Sequence, residues 1–99
     1  MALSVKAKIQ WLTPESGGRK TPPLGPKYST VARFIDISEK WPKEAWSIVA
    51  EFIKPTDSNN CTIVKLSFLV DTGPEYLLYS GSRFDLFEGP RIVATGEVI

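Results

Sequence analysis

Leu3, Val5, Ala7, Ile9 and Trp11 alternate with Ser4, Lys6, Lys8 and Gln10 near the start of this chain. A period of two is that of a β-strand with one buried and one solvated face. Segments of this kind return along the chain, each cut short by residues that cannot continue a ladder. Residues 28–37 carry Val31, Phe34, Ile35 and Ile37 around Arg33, with apolar side chains on both faces, so the pattern does not choose a core face. Residues 47–54 form a third segment, ended by Pro55 and the turn formers Asp57, Ser58, Asn59 and Asn60. Residues 62–70 alternate Val64, Leu66, Phe68 and Val70 against Ile63, Lys65, Ser67 and Leu69. A turn at Asp71-Thr72-Gly73-Pro74 then leads to a fifth segment, 75–79. Residues 83–88 and 91–99 flank Gly89-Pro90 as a final hairpin. Seven short strands and no helical period predict an antiparallel barrel or sandwich. The alternation further predicts one core shared by Leu3, Val5, Ala7, Ile9, Trp11, Val64, Leu66, Phe68, Phe84, Leu86 and Ile92.

The breaks between these segments are as informative as the segments. Residues 13–27 contain Pro14, Gly17, Gly18, Pro22, Pro23, Gly25 and Pro26, a long loop that reads equally as a functional surface or a plain connection. Between 38 and 46, Pro42 and the charges Glu39, Lys40, Lys43 and Glu44 favour a loop over a helical turn.

With 99 residues the chain makes one domain, 1–99, with room for a core but not for a nucleotide-binding half beside it. Twelve basic against 11 acidic residues leave a net charge of +1, so nucleic-acid binding would need a local cluster of Lys and Arg. The chain has no apolar signal core and no run long enough to span a bilayer, from which a cytoplasmic protein without membrane contact is expected. Cys61 has no partner for an internal disulfide, and its plain reading is a small residue beside a turn. The absence of histidine removes zinc sites, Ser-His-Asp and Cys-His arrangements and the histidine base. The carboxylates are scattered singly, and no Gly-x-x-x-x-Gly-Lys-Ser/Thr loop is present for a nucleotide phosphate. A non-enzyme without metal or cofactor is therefore expected.

Two stretches carry more specific information: Ser16-Gly17-Gly18-Arg19-Lys20-Thr21-Pro22 and Arg83-Phe84-Asp85-Leu86-Phe87-Glu88-Gly89-Pro90-Arg91-Ile92-Val93-Ala94-Thr95-Gly96. Together they resemble the third, C-terminal β-barrel of elongation factor Tu. In that family a Gly-Gly-Arg-His-Thr-Pro loop follows the first strand, and an Arg-Phe strand, a Gly-Gly-Arg turn and a strand ending in Gly-x-Gly close the domain. Lys6-Ala7-Lys8-Ile9 is similar to the family's first strand, and Val49-Ala50-Glu51-Phe52-Ile53-Lys54-Pro55 to its Val-Glu-Leu-x-x-Pro strand. The chain departs from the pattern at Lys20 (family histidine), at Gly89-Pro90-Arg91 (family Gly-Gly-Arg) and at Ala94-Thr95-Gly96 (family Gly-Ala-Gly). It also carries about twenty extra residues between Pro55 and Arg83, enough for a hairpin. The resemblance implies a single antiparallel barrel of six to seven strands, with an inserted β-hairpin in 56–82 that extends the sheet.

In that family the barrel packs against a GTP-binding domain and offers its glycine-rich loops to the T-stem backbone of aminoacyl-tRNA. The resemblance therefore implies a partner surface at Gly17, Gly18, Arg19, Lys20, Thr21 and Arg91. Flexible glycines let backbone amides approach phosphate oxygens, and an arginine supplies a bidentate fork. Arg19 equally reads as an arginine that pins its own loop to the barrel. Trp41 and Trp46, on a polar stretch, read as core or end caps, or as anchors for a partner. The expected function is a translation-linked, non-catalytic protein-interaction module, with binding of tRNA or another RNA backbone as the alternative.

Overall fold

The computed structural model of the chain describes residues 3–41, 43 and 45–99. Pro42 and Glu44 of the expected loop lie outside the described residues. Six strands form: β1 (Val5–Trp11), β2 (Lys27–Phe34), β3 (Trp46–Phe52), β4 (Cys61–Phe68), β5 (Arg83–Glu88) and β6 (Arg91–Val98). They pair antiparallel in the order β1-β4-β3-β2-β5-β6, and β6 returns to β1, closing the barrel. Closure matters because it leaves no strand edge for another chain to pair with. Of the antiparallel barrel or sandwich expected from the alternation, the barrel is the observed fold, with the strand number at six.

Alternation sets the inside. Ala7, Ile9 and Trp11 of β1 point inward with Ala32 and Phe34 of β2, Ile48 and Ala50 of β3, Val64, Leu66 and Phe68 of β4, and Phe84 and Leu86 of β5. On β2 this settles the ambiguous face: Ala32 and Phe34 are buried, while Ile35 stays 45% exposed. Two members of the expected core are not in it. Leu3 precedes β1 and is exposed, with Val5 only partly buried against the core. On β6, Leu86 faces Ala94 but Phe87 faces Ile92, so Val93 is an extra residue. This bulge turns Val93 and Ala94 inward in place of Ile92, a register change that simple alternation does not contain.

The inserted segment differs from expectation in form. Its first half, β4, is a wall strand of the barrel, hydrogen-bonded between β1 and β3. Its second half is not a strand: Glu75–Leu77 is a 3₁₀ turn. Leu77 and Leu78 are both buried, and two neighbours cannot point the same way in a strand. They close one end of the barrel together with Ile37, which sits in a 3₁₀ stretch, Ile35–Lys40, where the second strand had been expected to continue. Cys61 opens β4 directly after a tight turn, where Asn60 has φ 61° and the Asp57 carboxylate accepts the N–H groups of Asn59 and Cys61 at 2.8 and 2.9 Å. No helix of the described residues is long and apolar enough to cross a membrane.

Candidate functional site

Loop 12–26 connects β1 to β2 across one end of the barrel, and its own backbone bonds hold it in shape. Leu12 donates its N–H to Val93 at 2.9 Å, tying the loop's start to β6. Pro14–Ser16 makes a 3₁₀ turn, and the carbonyls of its first residue and of Thr13 before it are then used at once. Gly17 donates to Pro14 at 3.1 Å and Gly18 to Thr13 at 2.9 Å. Both glycines are needed there. Gly17 has φ 89°, a left-handed conformation, and a Cβ on Gly18 would lie 2.1 Å from the Leu12 carbonyl oxygen. The two amides that the sequence offered to a phosphate are therefore spent inside the loop.

Arg19 is partly engaged as well, through two of its five N–H donors. Its Nη1 donates to the Glu88 carboxylate, and its Nε to the Thr21 carbonyl at 3.0 Å. The guanidinium carbon lies 5.7 Å from the centre of the Tyr28 ring, and the Tyr28 hydroxyl donates to the same Glu88 oxygen. Tyr28 stands edge-on to Trp11 at 5.4 Å, and Trp11 Nε1 donates to the buried Thr62 hydroxyl at 3.0 Å. A continuous path thus runs from the loop arginine into the core. These contacts tie Arg19 to its own loop at Thr21 and to the barrel at Glu88.

This arrangement shifts three groups. Burial, followed by the bond to Glu88, pushes the Tyr28 hydroxyl up to about 12. Burial alone would raise the Glu88 carboxyl, but hydrogen bonds from Tyr28 and Arg19 and the charges of Arg19 and Arg91 outweigh it and hold the group below its ordinary value. Arg19 is raised, chiefly by its hydrogen bond to Glu88. All three directions describe a proton arrangement locked as Arg⁺, Glu⁻ and neutral Tyr at ordinary pH.

The exposed remainder of this end is small. Lys20 and Thr21 are exposed beside Arg19, and Arg91, exposed, is the cross-strand partner of Glu88. Gly17, Gly18, Arg19, Lys20, Thr21 and Arg91 therefore do come to one end. Beyond them, Pro22 and Pro23 are half-buried and Leu24 is 99% exposed at the loop's tip. The prolines, Leu24, Phe52 and Pro55 line a shallow depression of about 340 Å³.

The two tryptophans belong elsewhere. Trp46 is not on a loop: it is the first residue of β3, paired with Ala32, and packs edge-on to Phe68 at 6.1 Å at the opposite end of the barrel. Trp41 lies on the outer wall, stacked on Phe87 at 4.7 Å with the Arg33 guanidinium 5.8 Å from its centre. Arg33 is held in turn by Asp85 at 2.7 and 3.2 Å. The structure thus brings neither tryptophan to the glycine-rich loop. Glu88, Tyr28 and Leu24 are the residues that sequence reasoning missed. Glu88 is 69 positions from Arg19, with no local signal to join them, while an isolated leucine inside a proline-rich loop is a signal that could have been read.

Among the described residues no group of three or more Cys, Asp or Glu is placed to hold a metal ion. No protein-family model matches the chain, and no curated protein is significantly similar to it.

Proposed function

We propose that this chain is a non-catalytic protein-interaction module, a stand-alone barrel of the elongation factor Tu C-terminal type linked to translation, which meets its partner with the loop end. The motifs in residues 16–22 and 83–96 carry the family part of this reading. One observation carries the choice of a protein partner. The glycine amides and part of the guanidinium are already engaged, Gly17 and Gly18 on loop carbonyls and two of the five N–H groups of Arg19 on Glu88 and Thr21, which leaves less of the loop for a phosphate backbone. What the loop offers outward is an apolar tip, Leu24, 99% exposed among prolines. An apolar anchor with a polar rim is the usual anatomy of a protein contact.

Lys20 and Arg91 support the RNA alternative, since both are exposed at the same end. Two such charges give a weak, salt-sensitive grip. The readings separate in affinity capture of the full chain with and without nuclease, using L24D and K20A/R91A. The protein reading expects a captured protein that survives nuclease, disappears with L24D and persists with K20A/R91A. Recovery abolished by nuclease and by K20A/R91A, but not by L24D, would establish the RNA reading in its place.

A further inference from the structure

The end of the barrel opposite the glycine-rich loop is apolar on its outside. Leu3 is 42% exposed, Leu69 57%, Val70 47%, Tyr76 69% and Ile99 58%. The sheet order brings these residues to the same end. Leu69 and Val70 follow β4, Leu3 precedes β1 and Ile99 follows β6, and these three strands are consecutive neighbours. Backbone bonds fix the pieces: Leu69 donates to Ser47 at 3.0 Å, Ile99 to Lys6 at 2.9 Å, and Leu3 to the Glu75 carboxylate at 2.6 Å, which holds Tyr76 alongside. Exposed apolar side chains gathered at one end of a closed barrel are what a contact surface presents.

Charge is laid out on two sides of it. Residues 69–82 contain Asp71 and Glu75 and no Lys or Arg. On the adjoining outer wall Lys6 of β1 lies directly opposite Lys65 of β4, both exposed, one rung in from Val5 and Leu66. Like charges in that position repel. Neither has a carboxylate within 4.0 Å among the described residues, and Glu51, on the other side of Lys65, is paired with Lys27 at 3.8 Å.

We propose that the occupant of this face is a second copy of the chain, in a two-fold dimer. The apolar patches meet, and Asp71 and Glu75 of each copy lie against Lys6 and Lys65 of the other. A patch flanked by anions on one side and cations on the other is self-complementary about a two-fold axis, the commonest symmetry of oligomers. In the dimer Lys6 and Lys65 gain close carboxylate partners, which neither has within 4.0 Å in one copy. The dimer leaves both glycine-rich loop ends free at its outer poles, so it displays that surface twice. It goes beyond the assignment of the loop end and does not depend on it.

Sedimentation equilibrium of the full chain tests this. The mass should rise with concentration from 11.0 kDa towards twice that value. K6E/K65E and D71K/E75K should each weaken dimerisation about tenfold or more, and their equimolar mixture should recover it, because the reversed charges match again. L69D, which alters only an exposed side chain, should also give a monomer and covers the case in which a charge reversal disturbs folding. A parent that stays monomeric overturns the proposal. So does a dimer indifferent to L69D, or a mixture of folded reversal variants that fails to associate.

Discussion

Arg19 and Glu88 meet at one end of the barrel although 69 positions separate them, and their ion pair turns a glycine-rich loop into a fixed surface. The pair is about one-third exposed on each side, so its worth lies between a surface salt bridge and a buried charged hydrogen bond. Replacing Glu88 with Gln should cost about 1–2 kcal/mol of stability and speed amide exchange in loop 12–26. Denaturant titration and exchange measurements on E88Q check both parts.

The same carboxylate predicts an acid response. Its pKa in the folded chain lies below the ordinary 4.5, so the stability it contributes is complete above that value and is lost as pH falls through the folded value. The parent should lose stability relative to E88Q in that window. Denaturant midpoints of the two proteins, measured from neutral pH downward, should converge on acidification.

Tyr28 predicts the opposite limb. Its hydroxyl is raised from 10.0 to about 12, so the neutral form is favoured in the folded chain. The corresponding stability is complete below pH 10 and disappears as pH rises through the folded value. Tyr28→Phe should cost about 1 kcal/mol at neutral pH and flatten the alkaline decline. Alkaline denaturation curves of parent and variant supply the check.

Trp41 separates a structural role from an anchoring one. Stacked on Phe87 and beside Arg33, it should contribute about 1–2 kcal/mol to stability, and Trp41→Ala should remove that without changing recovery of a partner by the loop end. Unchanged stability with lost recovery would make Trp41 an anchor instead.

Much of this barrel was legible because strands announce themselves locally. The alternation in β1 and β4 placed Ala7, Ile9, Trp11, Val64, Leu66 and Phe68 inside without any tertiary information. Local pattern failed where tertiary packing decided. Glu75 to Tyr79 has the composition of a strand, yet the barrel needed a plug, and Leu77 and Leu78 supply it from a 3₁₀ turn. Ile92 and Val93 are chemically alike, and only the bulge chooses between them. Trp46, beside a polar stretch, belongs to β3 because Ala32 pairs with it. The glycines and Arg19 were recognisable as a motif, but the use of their donors was not. That use depends on Thr13, Pro14 and Glu88, and an acid at a distant hairpin leaves no trace near residue 19.

We propose a glycine-rich loop that is a tied protein-binding edge and not a phosphate cradle. Titration of a tRNA-like RNA stem at two salt concentrations, comparing the parent with R19A/K20A, tests it most directly. A tied loop predicts weak binding by both proteins with nearly the same salt slope, while R19A/K20A loses stability through the broken pair with Glu88. Clearly tighter binding by the parent, with a steeper salt slope that the double replacement flattens, would contradict the claim.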